Sequence, residues 1–299
     1  MSAEPITFFN RQTRRIETEA VYGEGFLRFT YESPLGALPL HALVKRAAFS
    51  GWYGRRMDAP ASRAKIAPFL ATYGVDTGEF ADAPGSFRTF NEFFYRKLKP
   101  QARPIAAGES EIVFPADGRH LVLPDIVACD DFFIKGVRFD LAALLGDAVE
   151  TKRFAQGDML ISRLCPVDYH RFHFPCDGTP NAPRLINGPL YSVSPIALRK
   201  RPSILWENKR EITVLRTPEF GDVLLLEVGA TCVGSIVQTF TSDAPIRKGA
   251  EKGYFRFGGS CFITIFEAGR VRFAADLIEH SRAGREVYAR MGDVAAHVL

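Results

Sequence analysis

Gly253-Tyr-Phe-Arg-Phe-Gly-Gly-Ser-Cys-Phe-Ile-Thr-Ile-Phe266 reads as one β-strand interrupted by two glycines. Its aromatic and β-branched residues favour extended backbone. A glycine pair inside such a run marks a bulge or sharp corner, where the backbone is held in geometries other residues resist. Ser260, directly after that corner, is placed to turn its hydroxyl on the preceding carbonyl. A plain hairpin corner explains the same letters, and Gly85-Ser86 and Gly234-Ser235 show that a Gly-Ser pair alone means nothing.

From about Ile112 onward, short runs of the same texture alternate with Gly, Pro, Asp and Asn: EIVFPADG, DMLISRLCP, RFHFPCDG, EITVLRT, DVLLLEVGATCVGSIVQTF and RVRF. This predicts a mostly antiparallel β body of sandwich or barrel type, with DLAALLGD (140–147) as a lone short helix. The first hundred residues read as helical. Leu40, Leu43, Val44, Ala47 and Ala48 recur at helical spacing, with His41, Lys45 and Arg46 on the other side. A second helix begins near Thr89, where Thr89 and Glu92 have capping-box spacing, and stops at Pro100. The expected fold is therefore α+β, with a helical N-terminal part (1–105) docked on a β-rich body (106–299).

The chain has 299 residues, 46% hydrophobic and 24% charged, which excludes disorder, collagen and coiled coil. Five cysteines without a C-x-x-C pair argue against a disulfide framework and a structural zinc site. No apolar run reaches membrane-spanning length and MSAEPITFFNRQTRR lacks signal-peptide order, so a cytoplasmic location is expected. A net charge of +4 is too mild to announce nucleic acid. Its placement is uneven, because Leu38 to Met57 holds Lys45, Arg46, Arg55 and Arg56 and no acid, with Phe49, Trp52 and Tyr53 among them. A basic, aromatic-ended amphipathic helix suits a lipid interface; it also suits packing on its own domain with a solvated charged face.

Two of the six histidines, His170 and His173, lie in Cys165-Pro-Val-Asp-Tyr-His-Arg-Phe-His-Phe-Pro-Cys-Asp-Gly178. Imidazoles in apolar surroundings can be tuned for acid-base work. If Arg171 to Phe174 is a strand, alternation puts His173 on the Arg171 side and His170 on the Phe172 side, so the two would do different jobs. A structural role for both, or a metal if the segment is helical, remains open from the residues alone. Pro115-Ala-Asp-Gly118 is a turn, in which Asp117 either caps its own backbone or orients a histidine.

Together these sites resemble the phosphatidylserine decarboxylase proenzymes, a self-processing, pyruvoyl-dependent family. The similarity runs through Phe87-Arg-Thr-Phe-Asn-Glu-Phe-Phe94, LKPQARPI (98–105), the Pro115–Gly118 turn, Asp168-Tyr-His-Arg-Phe-His173, Tyr191-Ser-Val, Asn208-Lys-Arg-Glu211, Val228-Gly-Ala-Thr-Cys-Val-Gly-Ser-Ile236 and Gly253–Ser260. Tyr31-Glu-Ser-Pro-Leu-Gly36 suggests the shorter bacterial subgroup. One departure is Cys261, where the family usually has Thr, which puts the processing rate and sensitivity to oxidation in question.

The resemblance implies that Asp117, His173 and Ser260 form a self-cleavage triad, Asp117 holding His173 while His173 deprotonates Ser260. Cleavage at Gly259-Ser260 would leave a β chain, 1–259, and an α chain, 260–299, whose amino end is a pyruvoyl made from Ser260. That group would form a Schiff base with the amine of phosphatidylserine and act as electron sink, without metal or pyridoxal phosphate. His170 would protonate the product carbon. The implied partners are the lipid and an anionic membrane surface met through Lys45, Arg46, Trp52, Arg55 and Arg56, from the cytoplasmic side and peripherally. The two chains would form an α/β heterodimer, open to higher assembly, with no nucleic acid. Two rivals are a pyruvoyl enzyme acting on a free aromatic amino acid and a Ser-His-Asp hydrolase that keeps Ser260 as a standing nucleophile.

Overall fold

The structure is a computed structural model, and it describes residues 5–40, 44–128, 138–231, 236–258 and 260–299. Gly259, Cys232, Gly234, Ser235, His41 and Leu43 lie outside the described residues. The chain opens with strands β1 (Thr7–Asn10) and β2 (Arg15–Thr18), then helices α1 (Glu24–Glu32), α2 (Pro34–Pro39), α3 (Ala47–Asp58), α4 (Ile66–Tyr73) and α5 (Phe90–Phe94). The body follows as β3 (Glu111–Val113), β4 (Gly118–Leu123), α6 (Leu141–Leu145), α7 (Ala148–Phe154), β5 (Asp158–Leu164), β6 (Arg171–His173), β7 (Thr179–Pro180) and β8 (Arg184–Ile186). Then come α8 (Pro195–Leu198), α9 (Ile204–Glu207), β9 (Arg210–Arg216), β10 (Asp222–Val228), β11 (Ile236–Gln238), β12 (Glu251–Phe255) and β13 (Ser260–Phe266). The chain closes with β14 (Val271–Phe273), α10 (Ala275–Arg282), β15 (Glu286–Ala289) and β16 (Val294–Val298).

The main sheet runs β2-β1-β15-β4-β5-β13-β10-β9-β7, with β8 also paired to β9. Its pairs are antiparallel except β1 with β15. Two three-stranded sheets, β11-β12-β6 and β14-β16-β3, complete an open α+β sandwich, not a closed barrel. β13 sits inside the main sheet and is buried on both faces, in keeping with its largely apolar sequence, in which only Ser260 and Thr264 are polar. Cys261, Ile263 and Ile265 face one core with Leu224, Leu226 and the helices α6 and α9. Phe262 and Phe266 face a second core with Phe172, Phe174 and Phe255. Period-2 alternation therefore puts Ser260 on the face toward β6 and β12.

Four local differences from the sequence reading have physical reasons. The N-terminal part is not purely helical, because β1 and β2 extend the main sheet, so the boundary at 105 is crossed by the sheet itself. The basic helix is interrupted at Lys45 and Arg46, which form a turn and a bend, and α3 begins at Ala47. DLAALLGD is followed at once by a second helix, because Asp147 caps α7 by accepting from Val149 and Glu150 N–H. The helix after Thr89 is short: the Thr89 hydroxyl accepts from Glu92 N–H, and the helix ends at Phe94. α5 and its neighbours build a third, aromatic core from Phe69, Phe80, Phe90, Phe93, Phe94 and Phe257.

Candidate active site

The corner read from the two glycines is present between β12 and β13. Gly258 has φ 136°, a region that L side chains rarely adopt, so the corner needs glycine there. Ser260 follows as the first residue of β13, paired with Leu164 of β5. It is fully buried, and its Oγ has no hydrogen-bond partner among the described residues. An unsatisfied buried hydroxyl costs about 1–3 kcal/mol, so its retention calls for a reason beyond packing.

His170 enters from the segment before β6. Its Nδ1 donates to the Asp168 carbonyl at 3.0 Å. A carbonyl only accepts, so Nδ1 carries the proton and Nε2 holds the lone pair. Nε2 is buried without a hydrogen-bond partner among the described residues, although the Gly258 backbone is close enough to act on its charge. The Phe94 ring lies 3.8 Å from the imidazole, centre to centre. Burial, with the Arg96 charge adding to it, pushes the imidazole down to about 3, so His170 is neutral at pH 7. The aromatic helix α5 thus positions this histidine, and it is tied to the corner by Phe257 N–H donating to Asn91 Oδ1 at 2.7 Å.

His173 is held differently. Its Nδ1 donates to the Gly249 carbonyl at 2.9 Å, and its Nε2 lies 3.3 Å from the Tyr169 hydroxyl. Burial lowers its basicity, partly offset by Gly249, Glu251 and Asp117. Asp117 is not its hydrogen-bond partner. The Asp117 carboxylate accepts from Arg103 Nε at 2.8 Å and Nη2 at 2.6 Å, and from Met291 N–H at 2.9 Å. The structure therefore sets Tyr169 and Asp117 near His173, and the Gly258 backbone near His170. No hydrogen bond among the described residues links Asp117, His173 and Ser260 in series. Arg103 and Tyr169 were missed as site residues from sequence, though both sit inside quoted motifs, LKPQARPI and DYHRFH.

A cavity of about 360 Å³ reaches Gly258, Leu164 and Cys165. Its walls are largely apolar, with Phe26, Leu27, Phe49, Tyr53, Val193 and Phe257. Ser192, Ser194 and Thr231 bring hydroxyls to it, and Glu19 and Arg163 bring charge. The Ser194 Oγ is buried without a partner among the described residues. Arg163 is clasped by Glu19 and Glu286, each at 2.6 Å. Burial works against Glu19, but the Arg163 charge and hydrogen bonds prevail and bring its carboxyl down to about 2. A second, larger and more polar cavity of about 420 Å³ opens beside Asp117, Arg103 and Tyr169 and does not include Gly258 or Ser260. The apolar cavity is the one that suits a lipid, because it touches the corner itself.

The basic segment is only partly outward-facing. Lys45 turns inward, its Nζ donating to the Tyr191 hydroxyl at 3.2 Å. Arg46, Arg55 and Arg56 are exposed, and Arg56 stands 5.1 Å over the half-exposed Trp52 ring. On α1 and α2, Phe26, Phe29, Leu35 and Leu38 are exposed, the two leucines by 78% and 77%. Phe26 also lines the apolar cavity. No helix among the described residues is long and apolar enough to cross a membrane.

The family model described as phosphatidylserine decarboxylase matches residues 90–293. A phosphatidylserine decarboxylase proenzyme of Fusobacterium nucleatum is 44% identical over 293 residues, covering 98% of each chain. Proteins of the same name from Chlamydia trachomatis and Clostridium kluyveri are 43% and 42% identical, covering 98% and 96% of this chain and 97% of theirs.

Proposed function

The chain belongs to the phosphatidylserine decarboxylase family, a pyruvoyl-dependent group of carboxy-lyases, and we propose that it cuts itself at Gly259-Ser260 and then converts phosphatidylserine to phosphatidylethanolamine and carbon dioxide in phospholipid biosynthesis. The observation that carries this reading is the Ser260 Oγ, buried and without a hydrogen-bond partner among the described residues, just after a glycine corner that also borders an apolar cavity.

In self-cleavage, His173 Nε2 takes the proton of Ser260 Oγ as that oxygen attacks the Gly259 carbonyl carbon. The Gly259-Ser260 C–N bond breaks, leaving an ester on Oγ and a free amine on Ser260. Loss of the Ser260 α-proton then expels the Gly259 carboxylate, and water replaces the nitrogen, which leaves as ammonia. Asp117 acts from its clamp with Arg103, its negative charge raising the basicity of His173. The site fits the product: a buried residue with no competing side-chain hydrogen bond among the described residues, at the head of a central strand, would hold its new carbonyl away from water.

The pyruvoyl supplies an electron-accepting ketone for the amine-bearing substrate. His170 manages the proton: its Nε2, without a hydrogen-bond partner among the described residues, would pass to the carbon that carbon dioxide has left a proton released by the substrate nitrogen, which becomes acidic once it is bonded to the ketone carbon. Phe94 and Phe257 keep water away from it. The acyl part of the lipid follows the apolar walls toward Phe26, and the patch Phe26, Phe29, Leu35, Leu38 and Trp52 rests on an anionic leaflet with Arg46, Arg55 and Arg56, on the cytoplasmic side.

Intact mass of the purified protein tests the first step. Two chains, 1–259 and 260–299, with the second blocked to Edman chemistry, are expected; a single full-length mass in active material rejects it. Carbon dioxide release from phosphatidylserine vesicles, against free aromatic amino acids, tests the second.

A further inference from the structure

His173 is tied at both ring nitrogens, and the two ties are not equivalent. The Gly249 carbonyl can only accept, so it fixes the proton on Nδ1 and leaves the lone pair on Nε2. The Tyr169 hydroxyl, at 3.3 Å, therefore donates into that lone pair. Nε2 is also the nitrogen that Ser260 needs, and an imidazole lone pair accepts one good hydrogen bond at a time. We propose that Tyr169 is a positioning residue of self-cleavage: its hydroxyl latches His173 Nε2 in the uncut chain, and its withdrawal presents the base to Ser260. This rests on the self-cleavage reading above.

The packing gives the latch both an aim and an exit. The Tyr169 ring lies stacked with the imidazole, centroids 5.8 Å apart at 30°, so the hydroxyl is directed by two packed rings. Tyr169 is buried, and burial raises its phenol, so it stays a donor. It also lines the polar cavity of about 420 Å³, which gives the hydroxyl somewhere to turn while Gly249 still holds the imidazole. The charged groups facing the pair are Glu251 across from His173 on β12, Asp117 from the turn before β4, Arg171 on β6, and Arg103 clasping Asp117. These act on His173 through their charge; the hydrogen bond at Nε2 comes from Tyr169.

Tyr169→Phe keeps the stacked ring and removes only the hydroxyl. A donor into the lone pair favours the neutral imidazole, so its removal raises the His173 pKa. In pulse-chase of newly translated full-length chain, the plateau rate of self-cleavage should rise about fivefold, with its midpoint moved to higher pH. A purely structural Tyr169 predicts the reverse: slower or unchanged cleavage with an unmoved midpoint, and that result overturns the latch. A second measurement does not depend on cleavage. In Ser260→Ala chain, which stays uncut, nitrogen NMR of His173 should show its pKa raised by Tyr169→Phe, and an unchanged pKa also overturns the proposal. A wild-type chain that never cuts rejects the self-cleavage reading instead, while the NMR comparison still decides on Tyr169.

Discussion

Arg103 grips both carboxylate oxygens of Asp117 in the buried space beside His173, at 2.8 Å and 2.6 Å. The pair joins LKPQARPI to the Pro115–Gly118 turn and places a carboxylate paired with Arg103 where the resemblance implied one holding His173. Glu79 shares the same guanidinium at 3.0 Å.

Breaking this pair from one side should cost more than removing it whole. Truncating one partner of a buried pair leaves the other charge uncompensated, at about 3–5 kcal/mol. In a Ser260→Ala background, Arg103→Met should lower urea-unfolding stability by about 3 kcal/mol. The double variant with Asp117→Asn should lose clearly less than the sum of the two singles. Additive losses would mean that the two residues do not act as a pair.

The two histidines should separate in function. His173→Ala and Asp117→Ala should stay uncut, because the base for Ser260 is gone or weakened. His170→Ala should be cut but release no carbon dioxide, because its imidazole serves the substrate. Gel analysis of processing alongside carbon dioxide release checks both, and a His170→Ala enzyme with native turnover contradicts the assignment.

Buried neutral histidines also set an acid limit. Burial pushes His120 and His170 down to about 3, against about 6.5 in the unfolded chain. Between those values the unfolded chain binds more protons, so stability is intact above pH 6.5 and is lost as pH falls below it. The slope is about 1.4 kcal/mol per pH unit for each such histidine. Glu19, brought down to about 2, adds a loss in the same direction below its ordinary range. Urea unfolding of Ser260→Ala chain at pH 7, 6 and 5 should show this slope, and His120→Gln should reduce it. A flat profile would show that these imidazoles are not held neutral.

Much of this was legible because it rests on local chemistry. The glycine pair forecast the corner at Gly258. The capping spacing of Thr89 and Glu92 located the start of α5. What stayed hidden depends on distant partners. No local pattern says that Arg103 would claim Asp117, that Gly249 and Tyr169 would bracket His173, or that Lys45 would turn to Tyr191. The β1–β2 pair was missed for the same reason, since Phe8 is buried by β15, some 280 residues away in sequence.

The structure also answers the doubt raised by Cys261. Its side chain points to the core opposite Ser260, buried with Ile263 and Ile265, and burial pushes its thiol up. A thiol so placed is not poised for oxidation. Cys261→Thr should leave the cleavage rate within about twofold and lower stability by about 1–2 kcal/mol, since the new hydroxyl enters an apolar core. Pulse-chase and urea unfolding check the two halves, and a large gain in cleavage rate would show that residue 261 reaches the chemistry.

The last prediction concerns the lipid surface, where the structure redistributes the expected contacts. Lys45 is spent on Tyr191, so three exposed cations remain in the segment: Arg46, Arg55 and Arg56. Each contributes about 1 kcal/mol near an anionic leaflet, screened over a Debye length of about 8 Å at physiological ionic strength. Leu35 and Leu38 add an apolar term that salt does not screen. Arg46, Arg55 and Arg56 to Glu should therefore weaken binding to anionic vesicles mainly at low salt, whereas Leu35→Glu with Leu38→Glu should weaken it at every salt concentration. Both sets should lower lipid turnover and leave self-cleavage intact, because Ser260 lies in the β body, far from these residues in sequence, and its cleavage does not need lipid. Vesicle sedimentation at two salt concentrations, read beside gel analysis of processing, separates the terms. Equal sedimentation of all variants with wild type would assign the patch and its arginines to packing and solvation alone.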